Sequence, residues 1–153
     1  MSSTDGDGPG PELSRNLVYL LKHAQLRMAE LGTNALTPYG IDGREMGVLL
    51  ALADREPASQ QQAAQRLGID RTTMVALLDA LERKGLVARR PHAEDRRRNV
   101  VELTDTGKET LRSAIEANDD AEREFLAPLG AQAAERLRRS LQAIVLRPDG
   151  RRT

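Results

Sequence analysis

The sequence contains no cysteine and very few aromatic residues. Without cysteine the chain cannot form disulfides, thiolate zinc sites, iron–sulfur clusters or a thiol-based redox sensor. Its phenylalanine, tyrosine and tryptophan content is limited to Tyr19, Tyr39 and Phe125 among 153 residues. The core must therefore be built from aliphatic side chains and alanine, a composition that favours helices.

The sequence also shows no pattern typical of a membrane-spanning helix or a signal peptide. No apolar run approaches the roughly 18 residues of a membrane-spanning helix. The first eleven residues lack the basic start and the apolar stretch of a signal peptide. We therefore expect a cytoplasmic protein.

The residues needed for catalysis are scarce as well. The two histidines, His23 and His92, lie in different predicted elements, and no hydrolase, metalloprotease or phosphate-binding motif occurs. The acidic pair Glu94 and Asp95 has no apolar neighbours that would raise a carboxyl pKa. We therefore predict no catalytic residue, no metal site and no cofactor, and we rank an enzyme as the weakest alternative.

The charge of the chain is balanced overall but uneven along it. There are 23 basic and 23 acidic residues, so the net charge is zero, which taken alone argues against a nucleic-acid-binding domain. Residues 71–98, however, hold eight basic and four acidic residues, a local surplus of +4. A polyanionic partner for this segment is therefore consistent with the sequence.

Apolar spacing predicts that amphipathic helices begin and end the chain. From residue 12 to residue 31 apolar side chains recur every three or four positions, and Gly32 marks the predicted end of this helix. Asp42 followed by Glu45 forms a capping-box pattern for a second helix. Two further helices follow Thr104, a good N-cap residue. The expected buried face of the second helix comprises Met46, Leu49, Leu50 and Ala53.

Residues 60–103 combine a short helix, a tight turn, a longer helix and a two-stranded hairpin. The pair Ser59 and Gln62 caps the short helix, Gly68 supplies the turn, and Asp70 caps the helix predicted over residues 71–84. Two short apolar runs then flank a polar, basic tip. This order is typical of a winged helix-turn-helix. We predict a mainly α fold with a small β-hairpin, and N- and C-terminal dimerisation helices.

The domain prediction follows from these elements. The first and last helices have apolar stripes that the small central domain cannot cover, so a second copy of the chain is the simplest partner. We expect a disordered tail over residues 1–11, a helical dimerisation region over 12–34 and 104–147, a DNA-binding domain over 35–103, and a flexible tail over 148–153.

A recognition helix placed in a major groove contacts bases through its N-terminal and outward-facing residues. Threonine hydroxyls can bond base edges, and threonine and valine methyls can pack on thymine. The alternative for the two threonines is an ordinary place in a first helical turn. The predicted contacts of this helix are Arg71, Thr72, Thr73, Val75 and Ala76.

The wing predicted over residues 89–99 presents its basic tip beside that helix. Most charge runs are solvated loops, but this one lies between two strands that project it. Arginine is favoured in a narrow minor groove, and a nearby carboxylate such as Asp95 can hold an arginine extended. The predicted DNA contacts of the wing are Arg89, Asp95, Arg96, Arg97 and Arg98.

Three segments resemble the MarR family of bacterial transcription regulators: residues 67–74 (LGIDRTTM), residues 81–87 (LERKGLV), and Asp95-Arg96-Arg97 leading to Leu103-Thr104-Asp105-Thr106-Gly107. The similarity extends over about residues 12–147. It implies a homodimer with interleaved terminal helices, a recognition helix in each major groove and a wing in the minor groove. It also implies that Arg97 enters the groove with Asp95 as its ion-pair partner.

The resemblance further implies a repressor of a pseudo-palindromic duplex that releases DNA when a small aromatic or phenolic acid binds. A regulator without a ligand is the alternative. Many relatives have a basic residue where this chain has Ala76, so a target sequence does not transfer. Tyr19 fits a core position better than a ligand contact, whereas His23 fits the surface as well as a ligand contact. The candidate effector-binding residues are Tyr19, His23, Tyr39 and Arg44.

A second function class remains open. A winged-helix module can serve non-specific nucleic-acid or protein contacts without a defined operator. The basic wing favours a polyanion, whereas the scarcity of aromatic residues argues against stacking on single strands. Steep salt dependence with duplex DNA and a preferred sequence would exclude this alternative.

Overall fold

A computed structural model describes residues 8–53, 58–95 and 97–146. Its seven helices are α1 (Gly10–Arg15), α2 (Leu17–Leu36), α3 (Gly43–Ala53), α4 (Gln60–Leu67), α5 (Arg71–Arg83), α6 (Asp105–Leu126) and α7 (Gly130–Val145). Its three strands are β1 (Ala58–Ser59), β2 (Val87–Pro91) and β3 (Asn99–Leu103). Short 3-10 turns, Thr37–Tyr39 and Ala127–Leu129, follow α2 and α6. None of the described helices is long and apolar enough to cross a membrane.

The strands form one antiparallel sheet in the order β1-β3-β2. In the predicted hairpin Val87 pairs with Leu103 and Pro91 pairs with Asn99. The two-residue strand β1, which the sequence did not indicate, pairs with the other edge of β3. Because β1 directly precedes α4, this pairing ties the start of the helix-turn-helix to the wing.

The N-terminal region differs from the single helix that we predicted. Asn16 divides it, because its Oδ1 atom accepts the Tyr19 N–H at 3.0 Å and caps a new helix. α1 also begins at Gly10, inside the segment predicted to be disordered. Gly32 does not end α2, which continues to the buried Leu36. Burial of Leu36 gains more than the roughly 1 kcal/mol that a mid-helix glycine costs.

The other predicted helix starts are confirmed by their caps. Asp42 and Glu45 form a reciprocal capping box, with nitrogen–oxygen distances of 2.8 and 3.2 Å. Ser59 and Gln62 do the same for α4. Thr104 Oγ1 accepts the Gly107 N–H at 3.0 Å and starts α6.

The buried face of α3 is rotated relative to the prediction. Met46 and Leu49 are buried as expected, whereas Leu50 and Ala53 are exposed and Val48 and Leu52 lie in the core. The reason is that α3 packs against α4, α5, α6 and β3, so more than one of its faces is covered.

Within the described part of the chain, the core also contains one charged side chain. Glu45 is buried, and its carboxylate accepts hydrogen bonds from Lys84 Nζ at 2.7 and 2.9 Å. The same Nζ donates to the Gly40 carbonyl at 2.8 Å. This ion pair joins the start of α3 to the residue after α5 and so fixes the C-terminal end of that helix.

Candidate nucleic-acid interface

The packing of α5 determines which of its faces is exposed. Met74, Leu78 and Leu81 are buried in the core. Gly68 adopts a left-handed conformation with φ of 64°, which L side chains rarely adopt, and turns the chain from α4 into α5. The opposite face of α5 and its N-terminus are therefore left at the surface.

The predicted base-contacting residues lie on that surface to different degrees. Arg71, Thr72 and Ala76 are exposed, whereas Thr73 and Val75 are half-buried. The Thr73 hydroxyl donates to Asp70 Oδ2 at 2.7 Å, so it supports the N-cap that Asp70 provides for α5. Its oxygen retains lone pairs that can still accept a bond. The DNA contacts of all five residues stay predictions.

The cap at Asp70 is sensitive to protonation. The Thr73 backbone N–H and then its hydroxyl hold the pKa of the Asp70 carboxyl below its usual range. A carboxyl pKa that is lower in the folded state stabilises the fold above the unfolded pKa. This contribution is lost as the pH falls through the folded-state pKa. The recognition helix therefore begins at an ionised cap at neutral pH.

We expect the Asp70→Ala variant to be less stable than the wild type at neutral pH. The difference in melting temperature should shrink as the pH falls below about 4, because acid removes the same charged cap from the wild type. Thermal unfolding of both proteins, followed by circular dichroism across pH 3–7, measures this difference in melting temperature. A difference that stays constant down to the lowest pH would show that the charge of Asp70 does not stabilise the fold.

Asp95 organises the tip of the wing. Its Oδ1 atom accepts the Arg97 N–H at 3.0 Å, and its backbone oxygen accepts the Arg98 N–H at 3.0 Å. The His92 N–H donates to the Arg98 carbonyl at 2.8 Å and closes the loop. These bonds fold the tip into a turn that leaves the Arg97 side chain exposed.

The ion pair at the tip differs from the one that the family resemblance implied. Asp95 Oδ2 lies 3.7 Å from Arg98 Nε, whereas its contact with Arg97 is through the Arg97 backbone. The carboxylate therefore shapes the turn beneath Arg97 rather than holding its guanidinium. Arg96 lies outside the described residues.

Arg89, another predicted DNA contact, is largely buried and ion-paired. Its side chain is only 16% exposed and is paired with carboxylates of α5, Asp79 and Glu82. Arg90, the next residue, is exposed and pairs with Glu102 across the hairpin at 3.3 Å. Alternation along β2 explains the difference, because successive side chains point to opposite faces of a strand.

The predicted effector residues are not brought together. Tyr19 and His23 lie one turn apart on α2, with ring centroids 4.1 Å apart. Tyr39 lies in the 3-10 turn after α2, and Arg44 lines a cleft of about 500 Å³ beside the turn between α4 and α5. Their binding of an effector stays a prediction.

A second cleft, of about 470 Å³, lies between α3, β3 and α6. It combines apolar walls with Glu102, which pairs with Arg90, and with two cations that the sequence interpretation missed, Lys108 and Arg112. The available signal was their spacing of four on α6, beside apolar positions of the same helix. The apolar lining residues are Leu52, Ala53, Leu103, Leu111 and Ile115.

The terminal helices leave large apolar side chains uncovered. Leu17 and Val18 on α2 are 67% and 75% exposed, and Val145 at the end of α7 is 73% exposed. Exposed apolar surface of this extent is characteristic of a protein–protein interface. It agrees with the predicted dimerisation helices.

Comparison with known proteins identifies the family of this architecture. The MarR family model matches residues 39–98, which span α3 to the wing. The transcriptional regulator HosA of Escherichia coli O127:H6 is 33% identical over 91 residues, which cover 60% of this chain and 67% of HosA.

Solved structures extend the similarity to nearly the whole chain. A structure of the transcriptional repressor CouR bound to a 23-mer DNA duplex is 35% identical with a TM-score of 0.85, covering 91% of this chain and 99% of that one. A CouR structure with p-coumaroyl-CoA is 33% identical with a TM-score of 0.80, covering 94% and 100%. The fold, the motifs and these similarities show that this chain belongs to the MarR family of transcriptional regulators.

Proposed function

We propose that this protein is a homodimeric repressor that binds a pseudo-palindromic DNA duplex. In each subunit α5 occupies a major groove and Arg97 at the wing tip enters the adjacent minor groove. The observation that carries the proposal is that the wing strand β2 is joined through Arg89 to Asp79 and Glu82 in the C-terminal half of α5, while the N-terminal residues of α5 and the basic wing tip stay exposed. The CouR–DNA complex, which has the same fold, supports it.

The dimer follows from the uncovered apolar faces of α2 and α7. A two-fold axis between two copies places the recognition helices in successive major grooves, with half-sites about 10 bp apart or slightly more. The wings then flank the site on both sides. This arrangement accounts for a regulator whose net charge is zero, because the basic residues are concentrated where the phosphates lie.

Selection from random duplex DNA tests the proposal. The purified protein is incubated with the pool at near-physiological salt, and the retained DNA is sequenced. We expect a pseudo-palindrome to be enriched. Retention without enrichment would indicate the alternative, a winged-helix module for non-specific contacts, and no retention would contradict DNA binding altogether.

We further propose that the cleft between α3, β3 and α6 holds a small aromatic acid that relieves repression. The apolar walls suit a ring, and Lys108 and Arg112 suit a carboxylate or another anionic group. The cleft touches both the wing strand β3 and the long helix α6, so a ligand there contacts the DNA-binding and dimerisation regions together. The CouR complex with p-coumaroyl-CoA supports an aromatic acyl ligand.

The Arg112→Ala variant tests the position of the effector. With p-coumarate, the free acid of that thioester, as the probe, we expect its affinity to fall by about 1.5–3 kcal/mol, the typical contribution of a hydrogen bond to a charged group. Arg136→Ala on α7 removes the same charge outside the cleft and should bind like the wild type. Isothermal titration calorimetry measures both, and equal affinities for the two variants would place the ligand elsewhere.

A further inference from the structure

Arg89 joins three elements of the winged helix-turn-helix through one guanidinium. From its position on β2, Nη1 donates to Gln60 Oε1 of α4 at 3.1 Å, and Nη2 donates to Asp79 Oδ1 of α5. Nε lies 3.3 Å from Glu82 Oε2 but without hydrogen-bond alignment, so charge alone holds that contact. The wing strand is thereby attached to both helices of the DNA-binding motif.

The burial of Arg89 separates it from a phosphate-binding arginine. Its side chain is 16% exposed, whereas Arg90 is 58% exposed and Arg98 is 74% exposed. A phosphate contact would require Arg89 to leave two carboxylates, both of which would lose their cation. Such an exchange is costly, because the guanidinium would have to leave its largely buried position and give up its hydrogen bonds to Gln60 and Asp79.

We propose that Arg89 is a positioning residue for DNA recognition, fixing the wing against the recognition helix. This inference rests on the proposed DNA-binding function and deepens it. Recognition requires α5 and Arg97 to enter neighbouring grooves of one duplex at the same time. The angle between β2 and α5 sets whether both can do so, and the Arg89–Asp79 pair spans that angle.

We call the Arg89–Asp79 ion pair the tether. Because the tether is charged, a single substitution of Arg89 would also change the electrostatics of the surface. Replacing Arg89 alone leaves Asp79 and Glu82 on α5 without their cation, and these carboxylates would repel phosphates. The double variant Arg89→Gln/Asp79→Asn removes one positive and one negative charge, so the local net charge equals that of the wild type. It removes the Arg89–Asp79 tether without adding net negative charge to this surface.

The decisive measurement is the coupling between the tether and Arg97. Among the described residues Arg89 and Arg97 share no hydrogen bond or ion pair, so independent DNA contacts should give additive effects. In the wild type we expect Arg97→Ala to weaken binding to the selected duplex by about 5- to 150-fold. In the Arg89→Gln/Asp79→Asn background the same substitution should weaken it less than about threefold, because an untethered wing no longer delivers Arg97 to the groove.

A conservative variant guards against a folding defect in the double variant. Arg89→Lys keeps the charge but cannot contact Gln60 and both carboxylates at once. In the Arg89→Lys background we expect Arg97→Ala to weaken DNA binding by a factor between its values in the wild type and in the double variant. Circular dichroism confirms the fold of every variant before fluorescence anisotropy measures its dissociation constant.

The outcomes separate the inference from the function on which it rests. If the wild type fails to bind a selected duplex, the proposed function itself is wrong. If it binds, and Arg97→Ala costs the same factor in the wild-type and Arg89→Gln/Asp79→Asn backgrounds, Arg89 does not position the wing. A reduced cost in the untethered backgrounds supports the positioning role.

Discussion

Replacing Gly107 with alanine should destabilise the protein by about 3 kcal/mol, near the upper end of what overpacking costs. Gly107 is buried in the first turn of α6, where a Cβ atom would overlap the carbonyl oxygen of Leu86 and lie 2.9 Å from its carbonyl carbon. Both partners are backbone, so no side chain can rotate away. Helix propensity alone predicts that the substitution would stabilise the protein, since alanine is favoured over glycine in a helix by about 1 kcal/mol.

The close approach at Gly107 belongs to a joint between the recognition helix and α6. Thr104 Oγ1 donates to the Gly85 carbonyl at 2.6 Å, and the Thr104 N–H donates to the Leu86 carbonyl at 3.1 Å. Gly85 and Leu86 follow α5 after a single residue, Lys84. The threonine and the glycine of the Leu-Thr-Asp-Thr-Gly motif therefore hold the start of α6 against the end of the recognition helix.

Gly43→Ala is the matched control for Gly107. Gly43 starts α3, and a Cβ atom there would meet nothing within 4 Å. We expect it to change stability by less than about 1 kcal/mol, with a small gain favoured. Urea denaturation at one fixed protein concentration compares the two variants, since dimerisation makes stability depend on concentration. Equal stability of both would show that the joint can relax.

Arg97→Ala should weaken binding to the selected duplex by about 1–3 kcal/mol without affecting the fold. The Arg97 side chain is exposed at the wing tip, where the Asp95 carboxylate accepts its backbone N–H. An arginine in a narrow minor groove gains from the enhanced negative potential there. Losing one phosphate-region cation should also reduce the slope of log affinity against log salt by about 0.9.

Arg123→Ala controls for the loss of one positive charge. Arg123 is exposed near the end of α6, where it pairs with Asp120. We expect its affinity and its salt slope to match those of the wild type. If Arg97→Ala and Arg123→Ala bind alike, the wing tip does not enter the duplex.

Local sequence signals predicted most of the fold. Capping residues act within one helical turn, so Asp42, Ser59, Asp70 and Thr104 could be identified from their neighbours alone. Gly68 likewise satisfies a local requirement for a left-handed backbone. These positions determine where the helices begin and turn, and hence the order of the elements.

Non-local packing explains what the sequence did not reveal. Whether Gly32 ends a helix depends on the burial of Leu36, and the face of α3 that packs inward depends on the several elements packed around it. The separate roles of Arg89 and Arg90 depend on which side of β2 faces α5. Adjacent arginines look equivalent in a sequence, so only the sheet distinguishes the buried tether from the exposed cation.

A hydroxyl-radical footprint on the selected duplex tests the central claim most directly, because it maps which sugar positions the dimer protects. We predict a two-fold symmetric pattern centred on the pseudo-palindrome, with protected minor-groove positions on both flanks. The flanking protection should disappear in Arg97→Ala while the central pattern persists. A protected region without two-fold symmetry, or flanks that Arg97→Ala leaves protected, would contradict a dimer that uses α5 and the wing together.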